Sequence, residues 1–202
     1  MHKLYLVLFS VISMFFFSNC TDISLQISEP SEEEVEIIKP IGDQIAKNLV
    51  KELQAELKAA IKDGGFEKAV NVCNLRAAPI TEIAANATDR KIEIKRTTNK
   101  FRNPLNAPDK FEKEALKYFD GLISSGKPLP KFYIQKIEAG NSTIFNYYKP
   151  MKTGSNCLTC HGDPSMIKPD ILKSISGLYP ADKAIGYKEN DFRGLIRITI
   201  GN

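Results

Sequence analysis

The five residues Cys157-Leu158-Thr159-Cys160-His161 constrain the fold of this chain more than any other feature of its sequence. Two thiols three residues apart, followed at once by a histidine, form the pattern through which haem is attached to proteins. The thiols add across the vinyl groups, and the adjacent histidine ligates the iron. We therefore predict one covalently bound haem c, held by Cys157, Cys160 and His161. A chain that binds haem in this way must fold around a flat and largely apolar group.

Two other chemistries are compatible with part of this motif. Cys157 and Cys160 could form a redox-active disulfide, although the surrounding residues do not indicate a thioredoxin-like unit. With Cys73 added, the motif would supply the donors of a Cys₃His zinc site, but the neighbouring Cys160 and His161 would be difficult to aim at one tetrahedral ion. We favour haem over both.

The amino terminus is typical of an exported protein. Lys3 precedes an apolar run over residues 4–17, followed by Ser18-Asn19-Cys20, as in a signal peptide. The run is too short for a permanent membrane span, which takes about 20 apolar residues. Cys20 resembles the lipidated cysteine of bacterial lipoproteins; the alternative is cleavage elsewhere, which leaves Cys20 unmodified. We predict a signal peptide over residues 1–19 and a periplasmic or cell-envelope protein that a lipid anchor at Cys20 holds to the membrane.

The rest of the chain has the patterning of a single domain. Residues 20–34 are predicted to be the anchor and an acidic tether, because they are polar and show no apolar periodicity. Residues 35–202 are predicted to form one globular domain. Apolar residues then recur at spacings of three and four from Ile37 to Ile61, which predicts a long amphipathic helix ending at Gly64-Gly65. The 28 basic and 24 acidic residues form no dense basic block, so nucleic-acid binding is not expected.

Helices and strands alternate after the long helix. A second helix is predicted from Phe66, with an interruption near Pro79. Further helices are predicted at 111–122 and 170–176, and strands at 91–98, 131–138, 143–149 and around 196–200. The 131–138 and 143–149 strands should form an antiparallel hairpin. The pattern predicts an α+β fold, with an antiparallel sheet flanked by helices.

Few residues are available as a second ligand to the iron. The chain has two histidines, and His2 belongs to the predicted signal peptide, so a bis-histidine haem within one chain is excluded. The candidates are Cys73, Met151 and Met166, or an open position that binds a small ligand. Cys73 has no predicted partner, which is unusual in an oxidising compartment. It also lies on the apolar face of a predicted helix, and periodicity alone favours a buried core cysteine.

Seven short stretches bear on this choice. They are Val-Asn-Val-Cys (70–73), Arg-Thr-Thr (96–98), Arg-Asn-Pro-Leu-Asn-Ala-Pro-Asp (102–109), Tyr-Lys-Pro (148–150), Cys-Leu-Thr-Cys-His-Gly (157–162), Leu-Tyr-Pro-Ala-Asp-Lys-Ala-Ile-Gly-Tyr (178–187) and Asp-Phe-Arg-Gly (191–194). In this order they resemble a bacterial family of single-haem c-type domains with a PAS-like fold. Such domains occur alone or as the extracytoplasmic sensor part of histidine kinases and chemoreceptors. The resemblance implies a PAS-like fold here, and Cys73 as the iron ligand opposite His161.

Three arginines of these stretches are candidates for a supporting role. Arg96, Arg102 and Arg193 could pair with the haem propionates, because arginine forms strong bonds with carboxylates. The alternative is that they are ordinary solvated or strand-end arginines.

Two classes of function follow from these expectations. The first is a redox or gas sensor, since a thiolate ligand lowers the potential of the iron and a bound gas would have to displace a ligand. The second is a periplasmic electron-transfer cytochrome c, which would need a redox partner protein. We do not expect an enzyme, because no second histidine is available as a distal acid–base group.

Overall fold

A five-stranded antiparallel sheet forms the centre of the molecule. The computed structural model describes residues 25–86, 91–140 and 142–201. In chain order, the strands and helices are β1 (Leu25–Ser28), α1 (Glu32–Asn86), β2 (Ile92–Thr97), α2 (Lys110–Ser124), β3 (Tyr133–Ala139), β4 (Ser142–Lys152), α3 (Leu158–His161), α4 (Pro169–Leu178) and β5 (Phe192–Gly201). The strands lie in the order β1-β3-β4-β5-β2, and every neighbouring pair is antiparallel. The predicted α+β fold is confirmed.

The first half of α1 packs against one face of the sheet. A capping box begins the helix, in which the Glu34 N–H donates to the Ser31 hydroxyl and the Ser31 N–H donates to the Glu34 carboxylate. Ile38, Ile45 and Leu49, at helical spacing, are then buried against the isoleucines of β5. This is the long amphipathic helix that the sequence predicts.

Gly64 and Gly65 divide α1 into two segments. Both residues have non-helical backbone angles, and Gly65 has a φ of 72°, which glycine adopts without steric cost. The predicted end of the first helix is therefore confirmed. The second segment, residues 66–86, packs on α4 through Val70, which is buried with Ile171 and Ile175.

Two predictions about this half of the chain are wrong. Residues 25–34 are not a tether, because β1 pairs with β3 and α1 already begins at Glu32. The stretch Leu25-Gln26-Ile27-Ser28 does alternate between apolar and polar residues, a short strand signal that the tether interpretation overlooks, and its apolar side chains are exposed on this edge strand. The helix also continues through Pro79 to its end. Buried side chains at Ala77 and Ile80 hold the segment in place although proline removes one backbone hydrogen bond.

The opposite face of the sheet is covered by α2. Leu116 and Phe119 of this helix are buried against Tyr148 and Leu195 of the two central strands. The predicted hairpin is present as β3 and β4, with Tyr133 opposite Tyr148. Helices thus flank the sheet on both faces, and α1 lies on the side that carries the candidate site.

A buried charge network fixes the start of α2 and the loop before it. Glu112 is fully buried and accepts a hydrogen bond from Lys95 at 2.7 Å and from Thr97 at 3.1 Å. Arg197 of β5 lies 3.1 Å from the same carboxylate and 2.7 Å from Asp109. The network ties residues 99–109 to the sheet, and this loop supplies one wall of the candidate site.

No helix in the described parts of the chain is both long and apolar enough for a membrane crossing. The predicted signal peptide over residues 1–19 and the predicted lipidation at Cys20 lie outside the described residues.

Candidate functional site

The motif cysteines and histidine meet on one side of a single helical turn. A 3₁₀ turn at Ser155–Cys157 leads directly into α3. Cys157, Cys160 and His161 then stand at positions i, i+3 and i+4, which share one side of a helix. All three border the same cavity of about 740 Å³, a volume typical of small-molecule and cofactor sites.

The cavity lies between the sheet, both segments of α1 and the α3 turn. Its lining is mostly apolar and includes Leu53, Phe66, Val70, Ile94 and Ile196. Three arginines interrupt this apolar surface: Arg96, Arg102 and Arg193. The walls therefore suit a flat apolar ligand that carries negative charge at its edge.

A backbone hydrogen bond orients the imidazole of His161. Its Nδ1 lies 2.6 Å from the carbonyl oxygen of Ala184. A carbonyl can only accept, so Nδ1 carries the proton and Nε2 keeps its lone pair. Burial, together with Arg102 and Arg193, lowers the pKa of His161 to about 3, and the ring is neutral. A neutral imidazole with one nitrogen fixed in this way is the form that ligates a metal.

The loop over residues 182–187 holds the end of α3 in place. The Gly186 N–H donates to the carbonyl oxygen of Gly162 at 2.7 Å, and the Tyr187 N–H donates to that of His161 at 2.9 Å. A β-carbon at Gly162 would lie 2.6 Å from the Leu158 oxygen, so only glycine fits there without displacing the turn. With the His161–Ala184 bond, these contacts fix both the backbone and the ring of the histidine.

Arg102 holds the same loop through an ion pair and hydrogen bonds. Its guanidinium forms an ion pair with Asp182 at 3.1 Å and donates to the carbonyl oxygen of Cys160 at 2.5 Å. Asp182 in turn accepts the Ala184 N–H at 2.8 Å. Arg102 therefore links the loop before α2, the α3 turn and the residue that orients His161.

Cys73 opens onto the cavity and does not belong to the packed core. Its side chain is exposed, whereas Val70 and Ala77 of the same segment are buried. Helical periodicity identified the correct apolar face of this segment, and the structure shows that this face borders the cavity. The apolar surroundings raise the pKa of the Cys73 thiol, and the positive charges of Arg96 and Arg102 oppose this effect.

The structure places one of the two methionine candidates at the cavity and the other at the protein surface. Met151 is half-buried and lines the cavity. Met166 is 83% exposed and is not among the residues that line the cavity. Cys73 and Met151 are thus the sulfur-bearing candidates that share the cavity with His161.

The structure gives no support to the two competing chemistries. Cys73, Cys157 and Cys160 are free thiols, so the motif cysteines are not joined to each other. Across residues 25–86, 91–140 and 142–201, no three histidine, cysteine or acidic side chains are grouped closely enough to hold a metal ion.

Two residues of the site were not found from the sequence. Ala184 acts through its backbone carbonyl, which every residue type possesses, so no side-chain pattern could reveal it. Asp182 acts as the partner of Arg102, a residue 80 positions away in the chain. The stretch that contains both residues was noted only because it contributes to the family resemblance.

The fold and the cavity together define a PAS-like domain: a central antiparallel sheet, helices on both faces, and a ligand cavity beneath one of them. The Tll0287-like family matches residues 23–201, and the chain belongs to this family. The resemblance drawn from the short stretches is thereby confirmed.

The fold is similar to a crystal structure described as that of the cyanobacterial heme-protein Tll0287. The TM-score is 0.58 at 22% sequence identity, and the match covers 86% of this chain and 98% of the other. No curated protein matches the chain.

Proposed function

We propose that this chain is an exported haem protein with one haem c attached to Cys157 and Cys160, and that it acts as a redox or gas sensor. In this proposal His161 and Cys73 are the axial ligands of the iron. The observation that carries it is the His161 ring, which is neutral, held at Nδ1 by Ala184, and placed on the wall of an apolar cavity beside two free thiols. The family match and the heme-protein of similar fold support the same cofactor.

The residues present fit a haem at this site. Cys157 and Cys160 stand three positions apart on one helical turn, as the attachment requires. The apolar walls would cover the faces of the macrocycle, and the cavity arginines would meet its carboxylates. Bound haem would supply an iron centre that changes its oxidation state and takes up small gases.

The two proposed ligands are held by different parts of the fold, and this favours sensing. His161 is fixed by the loop over residues 182–187. Cys73 lies on the second segment of α1, which is joined to the first through Gly64-Gly65. If a gas took the place of Cys73 at the iron, the second segment of α1 would therefore lose its bond to the haem, while the haem-attachment turn would keep its contacts. The same segment packs on α4 through Val70, which gives the change a route to the surface.

An electron-transfer cytochrome c is the second candidate. Cys157 and the two residues before it are exposed, so one attachment point of the proposed haem would lie near the mouth of the cavity, where electrons could be exchanged with a partner protein. A thiolate ligand would favour the low-potential range, whereas methionine ligation by Met151 would raise the potential. We propose no catalytic activity for either case.

The proposal is tested on the full chain, produced in cells that carry the cytochrome c maturation machinery. A pyridine haemochrome spectrum and the intact mass report covalent haem, signal cleavage and acylation of Cys20 together. We expect a C157S/C160S variant to lose covalent haem. A wild-type protein without haem would overturn the proposal.

Paired variants then identify the second ligand. We expect C73A to lose the spectrum of a thiolate-ligated iron and M151L to keep it. The reverse result would assign Met151. A low reduction potential with spectra that change on addition of NO or CO would favour sensing, and a high potential with rapid electron exchange would favour transport.

A further inference from the structure

Arg96 is a charged residue on a largely apolar sheet face, where the other cation, Lys149, is paired with Asp43 of α1 at 2.9 Å. Side chains alternate along a strand, so Ile94 and Arg96 of β2 share one face. Their partners on β5 are Ile198 and Ile196, which belong to the core beneath α1. Lys95 points to the opposite face, where it bonds Glu112. Arg96 thus places a guanidinium among isoleucines on the cavity wall.

The other two cavity arginines are already bound to the protein. Arg102 pairs with Asp182 at 3.1 Å and donates to the Cys160 carbonyl oxygen. Arg193 donates to the Lys100 carbonyl oxygen at 3.2 Å and lies over the ring of Tyr187, 5.0 Å from its centre. These two arginines hold loops, Arg102 through Nε and Nη2 and Arg193 through Nη1.

Arg96 has no such partner in the described part of the chain. Among residues 25–86, 91–140 and 142–201, no hydrogen bond acts on its guanidinium, and the ionisable groups that influence it are Cys73, Tyr179 and the like-charged Arg193. Burial consequently lowers the pKa of Arg96. Arg96 is half-buried, and a cation partly withdrawn from water without a counter-ion carries a cost that an anion entering with the ligand would relieve.

The geometry points to Arg96 as the residue that binds a propionate carboxylate of the haem. This inference rests on the proposed function, which supplies the haem. The planar fork of an arginine matches a carboxylate through two parallel hydrogen bonds, and lysine cannot reproduce that arrangement. Arg102 and Arg193 are positioning residues for the surrounding loops. The charge of Arg96 would also favour the reduced iron, because reduction adds one negative charge to the haem.

The test compares R96M and R96K with R76M in the mature haem-loaded protein. Arg76 is an exposed arginine of α1 paired with Glu56 at 3.2 Å, so R76M removes one positive charge away from the sheet. Spectroelectrochemistry gives the ferric–ferrous equilibrium, and infrared difference spectra between the two oxidation states report the propionate carboxylates. If R96M does not accumulate, R96Q gives the same comparison.

We expect R96M to shift the equilibrium toward ferric iron about tenfold, which is about 59 mV for one electron. The carboxylate bands should shift in R96M and not in R76M. R96K keeps the positive charge but lacks the planar fork, so it should restore the reduction potential more fully than it restores the carboxylate bands. A potential and bands in R96M that equal those of R76M would overturn the inference.

Two further outcomes separate the possible causes of failure. If R96M alters the axial-ligand spectrum as C73A does while the carboxylate bands stay unchanged, the guanidinium acts on the Cys73 sulfur and the propionate assignment is wrong. A wild-type protein without haem overturns the proposed function as well, and this is known before any Arg96 variant is made.

Discussion

The ion pair between Arg102 and Asp182 should contribute a large share of the stability of the candidate site. The two side chains are only 13% and 10% exposed. Replacing Arg102 by methionine leaves the Asp182 carboxylate without its cation and the Cys160 carbonyl oxygen without a donor. Removing one partner of a buried pair costs about 3–5 kcal/mol. Asp182 keeps the hydrogen bond from the Ala184 N–H, so we expect the lower end, about 3 kcal/mol.

Thermal unfolding followed by circular dichroism measures this cost. A domain of this size loses about 2–4 °C of Tm for each kcal/mol, so R102M should melt about 6–12 °C below wild type. R76M is the matched control, because its exposed pair with Glu56 should contribute less than about 1 kcal/mol. In a double-mutant cycle, D182N should cost less in the R102M background than in wild type, with a coupling of about 1–3 kcal/mol. A Tm for R102M within about 2 °C of the control, or simple additivity, would show that the ion pair does not stabilise the turn.

Two further predictions concern the sheet and the α3 turn. Burial raises the pKa of Asp43, but hydrogen bonds from Lys149 and Tyr147 outweigh it and hold the value at about 2, so its stabilisation is present above about pH 4 and is lost as the pH falls toward 2. In urea unfolding, D43N should therefore be about 1 kcal/mol less stable than wild type at pH 6, after allowance for solvent screening, and nearly equal to wild type at pH 2. A difference in the free energy of unfolding that does not change with pH would contradict this. G162A should cost about 1–3 kcal/mol and lower the fraction of chains that carry haem, because its β-carbon meets a backbone oxygen of α3. In G121A the β-carbon meets nothing within 4 Å, so this variant should lose neither stability nor haem. Equal stability and haem content in the two variants would contradict the close packing of the α3 turn at Gly162.

Most elements of the fold could be predicted because their burial is one-sided. The first segment of α1 shows a helical period since one side of it packs on the sheet. The edge strand β1 could not be predicted in the same way. Its four residues are all exposed, and what places it in the sheet is backbone pairing with β3. The alternation Leu25-Gln26-Ile27-Ser28 has the period of a strand, but over four residues it is a weak signal.

The part of the candidate site that depends on side chains could be predicted from the sequence, and the part that depends on backbone groups could not. The spacing of Cys157, Cys160 and His161 carries its own chemistry, so the attachment turn could be located from the sequence. The hydrogen bonds that orient His161 come from the carbonyl oxygen of Ala184 and from two N–H groups of the same loop. Since these groups are common to almost all residue types, only the folded chain shows which of them reach the turn.

The three cavity arginines show why a residue type cannot be assigned a role before its surroundings are known. In the sequence, Arg96, Arg102 and Arg193 are equal candidates for binding a carboxylate. In the fold, Arg102 pairs with a buried aspartate, and Arg193 bonds a carbonyl oxygen and lies over an aromatic ring, so both guanidinium groups are engaged by the protein itself. Arg96 stands on an isoleucine-lined strand face without an acidic neighbour among the described residues, and its charge is balanced when an anion enters the cavity. The absence of a protein partner is therefore what distinguishes the ligand-binding arginine from the two structural ones.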